Sequence, residues 1–342
     1  MGVQISDIVQ RKEVEIKDLK GKIIAIDAFN TLYQFLTTIR QPDGTPLQDK
    51  KGKITSHLSG LFYRNINLLL EGIKPIYVFD GKPPELKAQE RKKREQAKQK
   101  AKENYEQAKQ RGDEAEMRKY SAQFVKMDEE IINSSKQLLE AMGIPIIQAQ
   151  GEGEAEAANL VLKNKAHLVA SQDYDALLYK APVLIRNLTL ARKRKTSSGV
   201  YVSINPEIVE FQSLLNHLQI DKDQLTCLGI LVGTDFNPGG VKRIGQKTAL
   251  SIVRKWKYPV KIFDYIEKSG KYELDFDWQE IFKQFHEYKP APETKIEFKK
   301  PDEEKIKKLL LSRDFSENRI DSGLKRLNKA KEDAKQQTLS RK

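Results

Sequence analysis

Four separate hydrophobic runs in this chain end in acidic residues, and each run has the length and composition of a buried strand. The runs are KIIAID, KPIYVFD, IPIIQAQGEGE and HLVASQDYD. In an open α/β sheet, ligands bind in the crevice outside the carboxyl ends of the strands. If the four runs pair in parallel, they gather six carboxylates in one place: Asp27, Asp80, Glu152, Glu154, Asp173 and Asp175.

A crevice of this kind needs a counter-ion, because neighbouring carboxylates oppose each other's ionisation. Oxygen ligands without histidine or cysteine favour Mg²⁺ or Mn²⁺ over Zn²⁺, and the four histidines form no ligand-spaced pair. Two hard cations about 3.5–4 Å apart clamp the attacking and leaving oxygens of a phosphoryl displacement. The set of acids therefore predicts a two-metal site that hydrolyses phosphate esters, although any one of them alone is as well explained as a cap or turn residue.

The overall charge indicates what carries those esters. Lys and Arg number 61 against 48 Asp and Glu, a formal charge of +13 over 342 residues. Such an excess favours an anionic partner, with nucleic acid first and a membrane surface second. A single cysteine, Cys227, excludes an internal disulfide and fits a reducing compartment. Because there is no signal-peptide core and no apolar run of about 18 residues, we expect a soluble intracellular protein without a membrane partner.

Two blocks with βαβ rhythm, 22–81 and 128–190, flank a basic insert. The insert contains KAQERKKREQAKQKAKENYEQAKQR, which has high helix propensity and no apolar face wide enough for a core. It is either a solvated charged helix or a disordered insert, or else a basic helix that projects over the acidic crevice, and its position directly after Asp80 favours the last. After residue 190 we expect an edge-like strand in VYVSIN, then helical material from PEIVEFQSLLNHL onwards.

A second group of residues suits phosphate binding. In NPGGVKRIGQKTAL, glycines at 240 and 245 let backbone N–H groups approach a phosphate, and a helix N-terminus follows. Such a loop positions a duplex without reading its sequence. The alternative is a glycine-rich turn between packed helices. A Walker A loop is excluded because its spacing is not matched. The candidate DNA-binding residues of the loop are Gly240, Lys242, Arg243, Gly245 and Lys247.

Taken together, the motifs resemble the flap endonuclease-1 family of structure-specific 5′ nucleases, and its archaeal members most. The resemblance is carried by IDAFNTLYQFL, TSHLSGLFYR, YVFDGKPPELK, GEGEAEAA, SQDYDALL and VGTDFNPGGVKRIGQKTA, and extends from residue 1 to about 327. It implies a PIN-like (resolvase-like) α/β fold, with a central mostly parallel sheet flanked by helices, a helical arch and a helix-two-turn-helix motif. The implied single nuclease unit comprises an N-terminal region (1–86), the arch (87–127), an internal region (128–260, with the helix-two-turn-helix at about 226–256), a packing region (261–327) and a flexible tail (328–342).

The resemblance also implies catalytic roles. Asp235 would join the six acids as a ligand of two Mg²⁺ ions, for which Mn²⁺ can substitute. Lys87 and Arg94 match the arch-base cations that stabilise the scissile phosphate, and Tyr33 matches an aromatic residue that stacks on a base near the cut. Glu156, one helical step beyond the acid pair of GEGEAEAA, is expected to face away from the site.

Further DNA and protein contacts follow from the same resemblance. Gly2 would become the mature N-terminus close to the site, Arg40 matches the wedge that bends the duplex, and the glycine loop matches a K⁺-binding element. The family's tail carries Q-x-x-L/I-x-x-F-F, which binds a sliding clamp (PCNA). Here Gln336 and Leu339 are followed by no aromatic pair. Either the natural tail is truncated or clamp binding is weak.

The implied function is a Mg²⁺-dependent 5′-flap endonuclease with 5′→3′ exonuclease activity, acting in Okazaki fragment maturation and long-patch base excision repair. We expect a monomer that acts on branched DNA, in the cytoplasm or nucleoid of an archaeon or the nucleus of a eukaryote. A sister 5′ exonuclease of mismatch repair and a non-enzymatic DNA-junction-binding protein remain as alternatives. A bubble-cutting endonuclease is disfavoured by the short insert, and an aspartyl phosphatase by the lack of a second Asp two residues after Asp27.

Overall fold

Short strands form the framework of the fold, and most of them coincide with the hydrophobic runs of the sequence. The structure is a computed structural model that describes residues 2–41, 43–82, 84–189, 193–195, 201–292 and 295–339. Within these residues the strands are β1 Lys12–Glu13, β2 Ile23–Asp27, β3 Lys74–Phe79, β4 Ile146–Gln148, β5 Leu168–Ala170, β6 Val183–Arg186, β7 Lys193–Lys195, β8 Tyr201–Ser203 and β9 Glu207–Glu210.

Seven of these strands form one sheet, in the order β1-β9-β6-β5-β2-β3-β4. Strands β2 to β6 pair in parallel, with Asp27 opposite Val78 and Ile26 opposite Ala170. The parallel pairing of the four acid-tipped runs is therefore confirmed. Both faces of the sheet are covered, which is why its central strands are continuous apolar runs; Ile24 and Ile26 are fully buried.

One segment after residue 200 differs from the prediction. Helical material was predicted from PEIVEFQSLLNHL onwards, but Glu207–Glu210 forms β9, antiparallel to both β6 and β1, and only Phe211–Leu218 is helical. The edge of β6 leaves backbone groups that need partners, and this pairing overrides the local periodicity, with Val209 facing the core. The predicted edge-like strand, Tyr201–Ser203, pairs with Lys193–Lys195 in a separate two-stranded sheet.

Helices cover the two faces of the main sheet with separate hydrophobic clusters. None of the described helices is long and apolar enough to cross a membrane. The helices are α1 Ala28–Thr38, α2 Ser56–Leu70, α3 Ala88–Arg111, α4 Glu114–Ser121, α5 Glu129–Ala141, α6 Gly153–Leu162, α7 Asp175–Leu178, α8 Phe211–Leu218, α9 Lys222–Val232, α10 Gln246–Trp256, α11 Pro259–Lys268, α12 Trp278–His286, α13 Glu303–Leu311 and α14 Glu317–Leu339, with 3₁₀ turns at Ile16–Leu19 and Glu85–Lys87. One cluster contains residues of α6 to α12, and the other contains residues of α1, α2, α5, α13 and α14.

The basic insert folds into α3 and α4, which pack against each other. The sequence predicted no apolar face wide enough for a core, and the apolar face of α3 is indeed narrow. Ala101, Tyr105 and Ala108 are buried, and the Tyr105 ring lies 5.3 Å from the Phe124 ring, edge to face. Gly112, in a left-handed conformation, ends α3 and allows the chain to reverse into α4. The described residues of the insert are therefore helical, and the disordered alternative is wrong.

Candidate active site

The predicted acids lie together at the carboxyl edge of the parallel strands. Asp27 ends β2 and caps α1, where its Oδ1 accepts a hydrogen bond from the Asn30 backbone N–H at 3.0 Å. Asp80 follows β3, and its Oδ1 accepts from the Gly153 N–H at 2.7 Å. The strand ends and helix N-termini therefore fix these two carboxylates through main-chain donors, at positions where negative charge is favourable.

The acids from β4 and β5 are held by side chains as well as by backbone. Ser171 Oγ donates to Glu154 at 2.8 Å, and the Asn30 amide donates to Asp173 at 3.0 Å. The Val3 N–H donates to Asp175 at 2.9 Å, which ties the N-terminal segment to the crevice. These donors hold each carboxylate in one direction before any ligand binds.

The seven acids behave as one electrostatic group. Burial, followed by the negative charge of Glu152, raises the pKa of Asp80 to about 6. Burial, followed by the charge of Asp235, raises the pKa of Asp175 to about 7. The pKa of Asp27 is well above its usual value because of burial and then Asp80, and the pKa of Glu154 because of burial and then Asp175. Asp173 adds to the shifts of Asp27, Glu154 and Asp175.

Two cations from the base of the arch reach the crevice. Lys87 Nζ lies 2.5 Å from Glu152 Oε2 and 3.6 Å from Asp235 Oδ2, and Arg94 Nη2 lies 2.8 Å from Asp235 Oδ1. Burial lowers the pKa of Lys87, but the charges of Glu152 and Asp235 outweigh burial, so the pKa is raised and the ammonium stays charged. Lys87 Nζ also lies 5.0 Å from the centroid of the Phe236 ring, a cation–π distance.

The donor set fits hard divalent cations. All seven candidate ligands are carboxylates. The raised pKa values of Asp27, Asp80, Glu154 and Asp175 arise from burial and from the charges of neighbouring acids, which a divalent ion would relieve. In the part of the chain that the structure describes, no three Asp, Glu, His or Cys side chains converge closely enough to hold a metal ion as they stand. Instead, Lys87 forms an ion pair with Glu152, and Arg94 forms an ion pair with Asp235.

The cavity at the acids is small. A cavity of about 20 Å³ is lined by Lys87, Glu152, Glu154, Asp175, Tyr179, Asp235, Phe236 and Phe285. A much larger cavity, about 860 Å³, lies between α5 and α13 and contains none of the predicted acids. Chemistry and charge, not cavity size, therefore locate the site.

Gly2 contacts the acids directly. A Cβ at this position would lie 2.1 Å from Asp175 Oδ2 and 2.7 Å from Asp173 Cβ, so any other residue would displace one of these carboxylates. The neighbouring Val3 supplies the N–H that holds Asp175. The predicted proximity of the N-terminus to the site is therefore a feature of the structure.

Tyr33 and Arg40 both contact the basic insert. The Tyr33 hydroxyl donates to Val125 O at 3.3 Å and accepts from Lys98 Nζ at 2.5 Å. The half-buried Arg40 guanidinium donates to the carbonyl of Gly44, and to Ser121 Oγ at 2.7 Å. Because the Arg40 guanidinium donates to Gly44 and Ser121, it links the 40–44 turn to α4.

The glycine loop is separate from the acids but begins beside Asp235. Gly240 has a φ of +57°, and a Cβ there would lie 2.3 Å from Leu231 O, so the turn requires glycine. Gly245 occupies the N-cap position of α10, and Lys247 lies in the first turn of that helix. The turn exposes the side chains of its cations, with Lys242 Nζ 3.0 Å from Glu273. The loop therefore presents positive charge to solvent, whereas the N–H groups of Gly240 and Val241 donate to Asn237 O and Leu231 O within the protein.

Four residues that sequence reasoning did not identify complete the site. Asn30 donates to Asp173 and accepts from the Gln172 N–H at 3.2 Å, so it joins the ends of β2 and β5. Ser171 holds Glu154, and the rings of Tyr179 and Phe285 lie 5.0 Å apart beneath the acids. Asn30 and Ser171 each lie within three residues of a predicted acid, which is a usable signal. The aromatic residues carry no such signal.

Burial of Asp175 leads to a prediction about pH and stability without metal. Its folded pKa of about 7 exceeds the unfolded value of about 3.9, so between these values the folded chain binds more protons and the free energy of unfolding decreases as pH rises. Asp175→Asn keeps the acceptor for Val3 but has no charge. We expect the difference in the free energy of unfolding, variant minus wild type, to be about 3 kcal/mol larger at pH 8 than at pH 5.

Differential scanning calorimetry of both proteins in EDTA measures this difference. Comparing variant with wild type cancels groups such as His57, whose pKa burial lowers to about 3 and whose pH dependence has the opposite sign. Adding Mg²⁺ should reduce the gain in the variant. A Tm difference that stays constant from pH 5 to pH 8 would contradict the assigned shift.

The chain matches two domains of the XPG family. Residues 1–101 match the XPG N-terminal domain and residues 143–235 match the XPG I-region. Together with the mostly parallel sheet and its acidic edge, these matches define an XPG-type nuclease with a PIN-like α/β fold, which confirms the predicted fold class.

The chain belongs to the flap endonuclease 1 family, as the motifs indicated. It is 49% identical to flap endonuclease 1 of Thermococcus onnurineus over 99% of this chain and 98% of that protein. It is 50% identical to the Pyrococcus furiosus protein over the same shares. The structure of flap endonuclease-1 from Methanococcus jannaschii aligns with a TM-score of 0.76 at 40% identity, covering 96% of this chain and 98% of that one. The catalytic core of Rad2 in complex with DNA substrate shares the fold, with a TM-score of 0.65 at 21% identity.

Proposed function

We propose that this chain cuts 5′ flaps from branched DNA by metal-dependent phosphodiester hydrolysis, with an associated 5′→3′ exonuclease activity. The observation that carries the proposal is a crevice in which seven carboxylates interact electrostatically beneath a basic helix whose cations reach them. Membership in the flap endonuclease 1 family supports the substrate. Okazaki fragment maturation and long-patch base excision repair are the processes that need this reaction.

Two Mg²⁺ ions are the cofactors that the acids fit best. When bound, they would supply Lewis-acid stabilisation of the phosphate and activation of the attacking water, and Mn²⁺ can substitute. The chain's own contribution is to orient the ligands before binding, through Asn30, Ser171 and the main-chain N–H groups of Val3 and Gly153. The proposed ligands are Asp27, Asp80, Glu152, Glu154, Asp173, Asp175 and Asp235.

The arch-base cations act on the phosphate in this proposal. Lys87 and Arg94 already lie within 3 Å of carboxylate oxygens in the crevice. A scissile phosphate that enters the crevice would compete for the same donors, and the guanidinium suits two phosphate oxygens at once. Their charges would then offset the negative charge that develops on the phosphate.

The remaining residues define a path for the DNA. Tyr33 offers its ring to a base once Lys98 moves aside. Arg40 acts indirectly, by holding the turn that would form the wedge against α4. Lys242, Arg243 and Lys247, with Gly240 and Gly245, would bind the phosphates of the downstream duplex, and K⁺ is proposed at the same loop.

A sliding clamp is a further partner that the family implies. The side chains of Gln336 and Leu339 and the residues after 339 lie outside the described part of the structure. Because the motif lacks its aromatic pair, we propose a weak clamp contact at most for this sequence.

End-labelled cleavage tests the function directly. Flap, nicked, bubble and single-stranded DNA would each be incubated with the chain in Mg²⁺ and in EDTA. We expect cleavage of the flap at its junction in Mg²⁺ and none in EDTA. Preference for the nicked duplex would indicate a mismatch-repair exonuclease, preference for the bubble a repair endonuclease, and binding without cleavage a non-enzymatic junction protein.

The glycine loop provides a prediction about salt dependence. Replacing Lys242 and Arg243 by Ala removes two exposed cations and should weaken binding of the downstream duplex. If both contact phosphates, the slope of log K against log salt should become shallower by about 2. Fluorescence anisotropy of a labelled flap between 50 and 300 mM KCl, about the range over which such slopes are measured, gives the slope. The matched control is Lys305→Ala with Lys308→Ala on α13, and an equal change in both variants would contradict a specific role for the loop.

A further inference from the structure

Glu156 is a buried acid with no part in the proposed chemistry. Its side chain is 3% exposed, lies in the first turn of α6 and points away from the seven acids. Glu156 Oε2 accepts hydrogen bonds from the Tyr288 hydroxyl at 2.5 Å and from the Ala291 N–H at 2.6 Å, and Oε1 accepts from Asn159 at 3.0 Å. Burying a carboxylate is costly unless such donors compensate it, so this arrangement needs an explanation.

Two of the partners of Glu156, Tyr288 and Ala291, belong to a segment that continues from α12. Residues 287–292, here called the strap, follow the end of α12 and cross α6 at Glu156. The Tyr288 ring lies 6.4 Å from the Tyr179 ring, which in turn lies 5.0 Å from Phe285. Phe285 lies 5.3 Å from Phe236. The strap is thus continuous with the aromatic residues that line the bottom of the acidic crevice.

The same aromatic residues also form part of the lining of the acidic crevice. Tyr179, Phe236 and Phe285 line its small cavity together with the acids, and Lys87 Nζ lies over the Phe236 ring. A shift of the strap or of α12 would therefore move the surface on which Lys87 rests. Packed aromatic residues transmit such shifts because protein interiors have little free volume.

Helix geometry links Glu156 to the ligands on its own element. Successive α-helical residues are about 100° apart, so Glu154 and Glu156 point to nearly opposite sides of α6. Fixing Glu156 on the strap therefore fixes the rotation of the first helical turn, and with it the direction of Glu154 and the N-cap residue Glu152. Glu156 therefore orients Glu152 and Glu154 from the opposite side of α6.

We infer that Glu156 is a positioning residue for the metal site: it clamps the strap to α6 and so aligns Glu152, Glu154 and the aromatic floor beneath Lys87. This inference rests on the proposed function. The contact between Glu156 and the strap requires an acceptor with the shape of a carboxylate and does not require its charge. In Gln, Oε1 can accept from both Tyr288 and Ala291, while Nε2 donates to the Asn159 amide after that amide turns over.

The test compares Glu156→Ala with Glu156→Gln in single-turnover flap cleavage, flap binding and thermal unfolding. Calorimetric titration with Ca²⁺ in the absence of DNA reads the metal site independently of activity. We expect Glu156→Ala to lower the cleavage rate and the Ca²⁺ affinity by about 10–100-fold, as for other residues that orient metal ligands. Flap affinity should change less than about twofold, since no DNA-binding residue is altered. Glu156→Gln should retain the rate and Ca²⁺ affinity of wild type to within about threefold, because the geometry is preserved.

Tyr288→Phe provides a second variant if Glu156→Ala fails to fold, because it removes one hydroxyl and keeps the ring. We expect a loss of about 10-fold in rate and Ca²⁺ affinity, the lower end of the same range. Tyr272→Phe, in the same C-terminal region, is the control and should match wild type. Equal losses in Glu156→Ala and Glu156→Gln, or a lower Tm with unchanged rate and Ca²⁺ affinity, would overturn the inference. If wild type binds Ca²⁺ but does not cut flaps, the proposed function fails. The Ca²⁺ titrations of the variants then still test whether Glu156 positions the metal ligands.

Discussion

Asp173→Asn should reduce flap cleavage by about 10³-fold or more while leaving flap binding intact, because a metal ligand contributes several kcal/mol to the transition state and each 1.36 kcal/mol is tenfold in rate. Asp173 takes part in the electrostatic group with Asp27, Glu154 and Asp175. Asn keeps the acceptor for the Asn30 amide, so the local fold is preserved. Single-turnover cleavage and anisotropy with the same labelled flap measure the two effects separately.

The control for this variant is Asp264→Asn. Asp264 is an exposed acid on α11 that pairs with Lys268 one turn along the helix. Its replacement changes the net charge by the same amount and should leave cleavage within about twofold, as an exposed ion pair contributes little. Cleavage by Asp173→Asn at a rate near that of wild type would remove Asp173 from the ligand set and weaken the two-metal proposal as a whole.

Arg94→Ala has the second largest expected effect. The Arg94 guanidinium lies 2.8 Å from Asp235, and the Arg94 side chain as a whole is 41% exposed, so it is anchored in the crevice and accessible to a phosphate. Loss of one preorganised charged donor typically costs about 10²–10³-fold in rate. We expect this loss in the single-turnover rate at saturating DNA, whereas flap affinity should fall less than about 10-fold, because one phosphate contact is removed from many.

Lys93→Ala is the matched control for Arg94. Lys93 precedes Arg94 on α3 and is exposed, so it has the same place in the basic helix without reaching the acids. Its replacement should reduce the salt slope of binding by at most about 1 and leave the saturated rate within about threefold. Equal rate losses in the two variants would mean that the arch acts through its overall charge and that Arg94 has no specific contact with the reacting phosphate.

Much of this site was accessible from the sequence because its signals are local. Asp27, Asp80 and Asp173 each follow an apolar run, and a parallel sheet brings all such ends to one edge. The acids could therefore be placed together without knowledge of any contact. Asp235 follows a helix, not a strand, and only the family resemblance added it to the set.

Other features depend on contacts between distant parts of the chain. β9 is a strand because the edge of β6 lies beside it, a fact absent from its own periodicity. Arg40 resembles a DNA-binding cation in the sequence, but its guanidinium is bound by Gly44 and Ser121. Tyr288 approaches Glu156 across 132 residues, and no pattern in either segment predicts that contact.

The sequence by itself determined the four acid-tipped strands, the hard-cation chemistry of their edge and the basic character of the insert, because these follow from composition and short-range periodicity. Only the tertiary structure decided how the acids are held: which donors orient them, which carboxylates Lys87 and Arg94 contact, and that Glu156 binds the strap. The physical reason is the distance along the chain over which each effect acts. Hydrophobic patterning acts over a few residues, whereas the direction of a buried carboxylate is set by the donors that happen to surround it in the folded chain.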